Sequence, residues 1–145
     1  MSVTNGRAIL YPMFALAAWT AFVQLLIPLA RTRSELRGEI KLSDFEPGES
    51  AAVPQRVSIP NRNYMNLLEF PLLLYVGCIV AYVATPVSSV MVTLAWTFVA
   101  LRVVHSTIHL TYNRVAHRAL VFGISNAVLV ALWVMIALRV MQQPA

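Results

Sequence analysis

The chain has 145 residues, of which 59% are apolar and 12% are charged, and its mean hydropathy of +0.69 lies well above that of a water-soluble domain. This composition excludes a small secreted protein and a disordered tail. The formal net charge of +5 would by itself allow a nucleic-acid partner. The cations cluster between apolar runs, however, as in a membrane protein that marks its cytoplasmic side, so we expect no nucleic-acid partner.

Four apolar runs follow one another along the chain, and each is long enough to cross a membrane. At a rise of about 1.5 Å per residue, each run spans a hydrocarbon core of about 30 Å. The predicted helices cover residues 8–30, 64–84, 88–110 and 119–140. The predicted fold class is therefore all-α: an integral membrane four-helix bundle that forms a single domain over residues 1–145.

The connection over residues 31–63 is the main polar segment, and we expect it to form a cytoplasmic loop. It carries six of the eleven Lys and Arg residues. With four crossings, the first and third connections share a side of the membrane and hold eight cations, against two on the other side. The positive-inside rule therefore predicts that both termini of this multi-pass protein face away from the cytoplasm.

Three polar residues share one face at the start of the second predicted helix. Arg62, Asn66 and Glu69 are spaced i, i+4, i+7. Glu69 falls more than one turn inside the predicted span, where a charge at the bilayer centre costs about 2.5 to 3.5 kcal/mol on insertion scales. A nearby arginine would keep the carboxyl ionised, and the carboxylate could then accept a hydrogen bond from a substrate ammonium. A structural salt bridge between helices is the alternative interpretation.

The third predicted helix carries a polar stripe. At about 100° per residue, its polar side chains fall within an arc of roughly 120° and the opposite arc is apolar. Such a segregation in a lipid-embedded helix indicates that the polar arc faces protein or a wet cavity. The stripe consists of Arg102, His105, Ser106, His109, Tyr112 and Asn113.

The pair His105 and His109 has the i, i+4 spacing at which one helix can offer two imidazoles to a metal. A third ligand would have to come from Glu69 or His117. Hydrogen bonds to a ligand or to neighbouring helices account better for both histidines. We therefore predict no metal site.

Arg118 lies at the start of the fourth predicted helix, where the helix dipole adds positive potential and favours a bound anion. Arg31 and Arg33, at the end of the first helix, stand at about the same depth. Basic groups thus converge on one cytoplasm-facing pocket, which suits a small anion held beside an apolar molecule from the bilayer. An arginine that only sets the topology is the alternative for Arg118.

At these residues the chain resembles the MAPEG family, the membrane-associated proteins of eicosanoid and glutathione metabolism, over nearly its whole length. It looks most like the bacterial branch. The segment Arg-Asn-Tyr-Met-Asn-Leu-Leu-Glu-Phe-Pro over residues 62–71 resembles the Arg, Asn, Glu signature of the family. Arg102 and His105, with Arg118 sixteen residues after the first, are similar to the third-helix pattern of its prostaglandin synthase branch.

The resemblance implies a homotrimer in a bacterial inner membrane, with glutathione bound near the cytoplasmic face between neighbouring subunits. It implies a membrane-embedded transferase or peroxidase that uses glutathione as co-substrate against a hydrophobic electrophile or a lipid peroxide. Arg118 would be the catalytic residue that stabilises the thiolate. The implied glutathione-binding residues are Arg62, Asn66, Glu69, His105 and one of Arg31 or Arg33. The polar stripe adds Arg102, His109 and Tyr112 as further candidates.

Two departures from the family pattern keep a second function open. Glutathione-using members often carry a further Arg immediately before the Asn, where this chain has Met65. They also have a Tyr seven residues after the third-helix Arg, where this chain has His109. A weaker anion site favours the alternative, a non-catalytic trimeric lipid-binding membrane protein of the same family. A small transporter is less favoured, because the sequence shows no interrupted-helix signature.

Overall fold

A computed structural model gives the structure of the chain over residues 5–45 and 53–142, and within these residues the regular secondary structure is helical, with no β-strand. Short 3-10 helices occur at Gly6–Ile9 and Leu42–Phe45. The α-helices are α1 (Leu10–Leu36), α2 (Gln55–Leu68), α3 (Leu72–Ala84), α4 (Ser89–Leu110) and α5 (Val115–Met141).

Within the described residues, four helical segments are long and apolar enough to cross a membrane. The second of them consists of α2 followed by α3, and each of the others is dominated by a single α-helix. The segments are Gly6–Leu36, Gln55–Ala84, Ser89–Leu110 and Val115–Met141. The predicted all-α membrane bundle with four spans is confirmed.

The helices extend further into the polar connections than the apolar runs suggested. α1 continues to Leu36 instead of ending near residue 30, and α2 begins at Gln55 instead of near residue 64. The connection expected over residues 31–63 therefore narrows to residues 37–54, part of which lies outside the described residues. An apolar run indicates only the part of a helix that contacts lipid. The helical hydrogen bonds of the backbone can continue into the polar sequence on either side, so the helix is longer than the run.

The second span is interrupted, although the sequence suggested one continuous helix over residues 64–84. α2 ends at Leu68 and α3 begins at Leu72, with Glu69 at ψ −97° between them. Pro71 has no amide hydrogen to donate and disfavours helical geometry in the residue before it, so the ladder stops here. The backbone amide of Leu72 donates instead to the carbonyl oxygen of Glu69 at 3.2 Å, and that of Leu73 to the carbonyl oxygen of Phe70 at 3.1 Å.

α4 is the central helix of the bundle. It lies along α5 and also contacts α1 and α2, whereas α3 packs against α5 and α1. The largest fully buried side chains of the apolar core come from all four spans. They include Leu16, Leu67, Leu74, Met91, Phe98, Leu129 and Leu132.

A second, small apolar cluster lies outside this core, where the first connection meets the end of α1 and the start of α2. It consists of Ile40, Val53 and Val57, with Phe45 packed against them. Next to it Arg56 on α2 forms an ion pair with Glu39. The connection is therefore tied to both helices that it joins.

Candidate functional site

A cavity of about 490 Å³ opens where the end of α4, the start of α5 and α2 come together. We call it the polar cavity. Its wall consists of Gln55, Ile59, Asn61, Arg62, Met65, Asn66, Glu69, His109, Asn113, Val115 and Arg118. Five of the nine residues that the sequence placed in the site, counting Arg118, thus share one cavity.

The helical face predicted from the i, i+4, i+7 spacing lines this cavity. Arg62 and Glu69 are exposed in the single chain, and Asn66 between them is half-buried. The side-chain amide of Asn66 donates to the carbonyl oxygen of Arg62 at 2.9 Å. Because Glu69 directly follows Leu68, the last residue of α2, its carboxylate stands at the helix interruption rather than inside a continuous helix. The cavity is thus lined on one side by a guanidinium, an amide and a carboxylate.

His105 and His109 line two adjoining spaces. His109 belongs to the wall of the polar cavity, and His105 to a smaller space of about 170 Å³, which we call the inner recess. The other residues of the inner recess are Asn66, Val115, Arg118, Ala119 and Phe122. Both imidazoles are buried, with 4% and 3% of the residue surface exposed, and their ring centroids are 6.3 Å apart. Two neighbouring turns of α4 therefore present imidazoles to the site.

Arg118 lies at the join of the two spaces, because it lines both the polar cavity and the inner recess. Its side chain is half-buried. Nη1 of Arg118 donates to Oδ1 of Asn113 at 2.6 Å. α5 begins at Val115, so Arg118 lies in its first turn, where the helix dipole adds positive potential.

Arg102 was expected among the cofactor-binding residues, but the structure places it behind the cavity wall. Its surface is 0% exposed, and it lines neither the polar cavity nor the inner recess. Nη2 donates to Oδ1 of Asn126 at 2.7 Å, whereas Nε and Nη1 have no hydrogen-bond partner among the described residues. The rings of Phe122, Phe98 and Phe70 lie 4.7, 5.1 and 5.7 Å from the guanidinium carbon and supply cation–π contacts. Position 102 lies on the side of α4 that packs against the neighbouring segments. Arg102, which was expected to contact a ligand, is therefore buried in the protein interior.

Tyr112 and the arginines of α1 also lie apart from the polar cavity. Tyr112 is exposed, and its hydroxyl lies 3.2 Å from Nδ1 of His117. Arg31 borders a cleft of about 260 Å³ at the end of α1, with its guanidinium carbon 4.2 Å from the Phe45 ring centroid. Arg33 is exposed. The structure of the single chain brings none of these three side chains to the cavity.

Residues of the first two turns of α2 also line the polar cavity, which the sequence did not predict. Gln55, Ile59 and Asn61 line the polar cavity but fall in the segment expected to be a loop. Asn63 was also missed: it is 0% exposed, and its amide donates to Oγ of Ser106 at 2.6 Å. This hydrogen bond joins α2 to the polar stripe of α4. A helical periodicity extended N-terminally from Arg62 would have been the only signal.

An apolar groove of about 530 Å³ lies between α3 and α5. It is lined by Phe70, Leu73, Leu129, Val130, Trp133, Val134 and Ala137. The groove borders the inner recess, because the Phe70 ring on the groove wall lies with its centroid 6.3 Å from that of Phe122 on the recess wall. Nε1 of Trp133 donates to the carbonyl oxygen of Leu73 at 3.1 Å, so the indole closes one wall without an unsatisfied polar group. The polar cavity and a lipid-like surface are thus neighbours.

The geometry can be compared with known families. The family model of the MAPEG family matches residues 9–138. The chain belongs to the MAPEG family. The family includes glutathione transferases and peroxidases as well as non-catalytic members. No curated protein and no solved structure matches the chain.

Both departures from the MAPEG pattern lie on the wall of the polar cavity, because Met65 and His109 line it. Met65 is 48% exposed, so the position at which many glutathione-using members carry Arg here offers a thioether to the cavity. His109 is buried, and its Nδ1 has no hydrogen-bond partner among residues 5–45 and 53–142. Within the same residues, no three His, Cys, Asp or Glu side chains are grouped as metal ligands would be.

Proposed function

We propose that the protein is a membrane-embedded glutathione-dependent transferase or peroxidase that acts on a hydrophobic electrophile or a lipid peroxide. The observation that carries the proposal is the position of Arg118, which borders both the polar cavity and the inner recess. The recess in turn borders the apolar groove at the Phe70–Phe122 pair. A cation therefore stands between a space suited to a polar peptide and a surface suited to a lipophile.

The polar cavity has the size and the charges that a small peptide requires. Its volume of about 490 Å³ is typical of small-molecule sites, about 300 to 1,000 Å³. Arg62 would bind a carboxylate of glutathione, Glu69 would accept from its ammonium, and Asn66 would hydrogen-bond its peptide groups. His109 and His105 would line the deeper part, towards the thiol.

Arg118 would act on the sulfur. A thiol with a pKa of about 8.5 becomes a useful nucleophile when a cation stabilises its thiolate. In a transferase reaction, the thiolate attacks an electrophilic carbon and forms a thioether, while the leaving group departs or a proton is taken up. In a peroxidase reaction, the thiolate attacks the terminal peroxide oxygen, the O–O bond breaks, and the alkoxide takes a proton. A second glutathione then converts the sulfenic acid to a disulfide and water.

The lipophile would approach from the apolar groove. Leu129, Val130 and Val134 on α5 and Leu73 on α3 offer it only hydrocarbon. A molecule lying there with its reactive group at Phe70 would point that group at the inner recess. Such a substrate needs no aqueous path, since it partitions into the bilayer by the hydrophobic effect.

We further propose a homotrimer in a bacterial inner membrane, with both termini away from the cytoplasm. The positive-inside rule supports this orientation, because the cations concentrate on the first and third connections. An exposed Glu69 and an open polar cavity at membrane depth support a neighbouring subunit at this surface. Arg31 or Arg33 would then reach the site from the neighbour, because neither reaches the cavity of its own protomer.

A non-catalytic lipid-binding protein is the second candidate function, and the position of Met65 favours it. A thioether in place of an arginine weakens the anion site, while the apolar groove is unaffected. In this case a lipid would occupy the groove, with its head group at Arg118, and no thiol chemistry would follow. Arg118 would then serve as an anchor for an anionic group.

Calorimetry and turnover in detergent micelles distinguish the two functions. We expect millimolar glutathione to bind the wild-type protein, and Arg62→Ala and Glu69→Ala to weaken that binding. Arg37→Ala, which removes an exposed cation outside the cavity, is the matched control and should bind as the wild type does. Absence of glutathione binding, together with co-purified lipid and no turnover of a chromogenic electrophile, would establish the lipid-binding alternative instead.

A further inference from the structure

We propose that Asn113 is a positioning residue for Arg118: its side-chain oxygen directs the guanidinium to the join of the polar cavity and the inner recess without neutralising its charge. This inference rests on the proposed function and extends it to the residue that sets the direction of the thiolate-stabilising cation.

The contact is short and lies at the site. Nη1 of Arg118 donates to Oδ1 of Asn113 at 2.6 Å, and Asn113 itself belongs to the wall of the polar cavity. An arginine side chain has about 2 kcal/mol of rotamer entropy to lose when it is ordered. A hydrogen bond present before the ligand arrives removes part of this cost from the binding step. Arg118 is thus oriented in advance by a residue from the turn between α4 and α5.

The backbone fixes where this oxygen stands. Asn113 has φ +50°, in the left-handed region that side chains other than Asn, Asp and Gly rarely adopt. The backbone amide of Asn113 donates to the carbonyl oxygen of Ile108 at 2.8 Å, which closes the end of α4. Glycine would serve the turn equally well but would provide no acceptor. The asparagine therefore satisfies the conformation of the turn and the orientation of Arg118 together.

The acceptor is an amide rather than a carboxylate, which leaves the positive charge of Arg118 in place. The charged and titratable groups that line the same two spaces are Arg62 and Glu69 from α2 and His105 and His109 from α4. A carboxylate at position 113 would hold the guanidinium more strongly but would cancel its field at the sulfur. An amide oxygen orients the cation and leaves its field available to a bound anion.

Two substitutions separate orientation from charge. Asn113→Gly keeps the left-handed backbone and removes the acceptor, and Asn113→Asp keeps the acceptor and adds a negative charge. Thr111→Ala is the control in the same turn, because the Thr111 hydroxyl donates only within α4, to the carbonyl oxygen of Thr107 at 2.7 Å. We expect all three proteins to fold, since none strains the backbone.

The first measurement needs no glutathione. In a double-mutant cycle on thermal unfolding in detergent, Asn113→Gly should lower Tm by about 2 °C when Arg118 is present and leave it nearly unchanged in Arg118→Met. Asn113→Asp should match or exceed the wild-type Tm. Equal Tm losses from Asn113→Gly in both backgrounds would show that Asn113 does not hold Arg118, and would overturn the inference whatever the protein binds.

The second measurement follows the thiolate absorbance of bound glutathione as a function of pH. Both Asn113 variants should raise the apparent pKa of the bound thiol by about one and change the dissociation constant by less than about threefold, because the residues proposed to bind the peptide are intact. Thr111→Ala should reproduce the wild-type curve. Asn113→Gly decides between the two roles, because it adds no charge that could act on the thiol directly. A purely structural role would not raise the thiol pKa in this variant while leaving the dissociation constant nearly unchanged.

The two proposals fail in different ways. If the wild-type protein binds no glutathione, the proposed function is wrong, and the double-mutant cycle alone decides whether Asn113 positions Arg118. If glutathione binds and its thiol pKa is the same in the wild type and in Asn113→Gly, the proposed function stands and the positioning role is rejected, whatever Asn113→Asp shows.

Discussion

The end of the bundle where α4 turns into α5 buries ionisable and amide side chains, whereas the opposite end, around the turn from α3 to α4, buries mainly apolar ones. The polar set includes Asn63, Arg102, His105, Ser106 and His109, and the apolar set includes Leu74, Ala81, Met91 and Ala95. The buried polar residues of the apolar end, Thr85 and Ser88, are hydrogen-bonded within their own turn. Both sets lie within the helical segments that are long and apolar enough to cross a membrane. In a bilayer, packing of apolar residues is enough to hold helices together. Buried polar groups add a desolvation cost without need, so their concentration at one end indicates a functional site there.

The polar end is also where the backbone departs from regular helix. The interruption at Glu69–Pro71 and the left-handed Asn113 both border the polar cavity. The apolar end has a short extended turn with ordinary capping, in which Oγ of Ser88 accepts from the amide of Met91 at 3.4 Å. Local irregularity and buried polarity thus coincide. Substitutions at the two ends should therefore have different consequences, in function at one and in stability at the other.

The largest expected effect is on turnover at the polar end. Arg118→Ala should lower turnover of a chromogenic electrophile about 10²–10³-fold, the usual loss when one preorganised charge-stabilising group is removed. Steady-state kinetics with glutathione in detergent measure it. Arg114→Ala, which removes an exposed cation one turn earlier, should retain most of the wild-type rate. Equal losses in both variants would show that general positive charge, rather than Arg118, is responsible.

The apolar end and the core next to it should respond in stability. Leu132→Ala truncates a side chain of α5 that is 0% exposed, and we expect the free energy of unfolding to fall by about 2 kcal/mol. This is the low end of the usual cost of a Leu→Ala substitution in a protein core. In a membrane the unfolded helices are surrounded by lipid, so the leucine loses its packing contacts but gains little exposure to water. Leu138→Ala on the same helix, at a site that is 52% exposed, should be nearly neutral in the same denaturation experiment. Glutathione affinity should be unchanged in both.

Met65→Arg tests whether the polar end is a weakened version of a stronger anion site. Position 65 is 48% exposed and lines the polar cavity, so the new guanidinium can reach a bound carboxylate. We expect glutathione to bind about tenfold more tightly, corresponding to about 1.4 kcal/mol. Met65→Leu is the apolar control and should bind as the wild type does. An unchanged affinity in Met65→Arg would mean that no ligand carboxylate lies at this wall.

The smallest effect concerns the first connection, which belongs to neither end of the core. The hydrogen bond from Arg56, followed by one from Ser34, lowers the pKa of Glu39 below its usual value of 4.5. This contribution to stability is therefore fully present above the pKa of the unfolded chain and is lost as the pH falls through the lower pKa of the folded one. Glu39→Gln should lower Tm slightly at neutral pH and not at all well below pH 4.5. If the Tm of Glu39→Gln stays below that of the wild type in acid, the loss of stability is due to packing and not to the charge of Glu39.

The sequence predicted the spans and the family well because apolar runs and residue spacing are local properties of the chain that need no tertiary contact. It also predicted that Arg62, Asn66 and Glu69 share a face, since the helix is regular up to Leu68. It could not predict that Arg102 is enclosed by three aromatic rings, because Phe70 reaches it from the interruption between α2 and α3 and Phe122 reaches it from α5. Nor could it predict that α2 starts at Gln55, because a polar helix packed at the edge of a membrane has no hydropathy signal.

A structure determined in lipid nanodiscs at millimolar glutathione would show whether Arg118 stands at the sulfur of a peptide bound in the polar cavity. We predict density for a tripeptide along Arg62, Asn66 and Glu69, with its sulfur within hydrogen-bond distance of the Arg118 guanidinium. We also predict that the apolar groove holds hydrocarbon and no part of the peptide. A lipid head group at Arg118, or a polar cavity that holds only solvent under these conditions, would contradict this prediction.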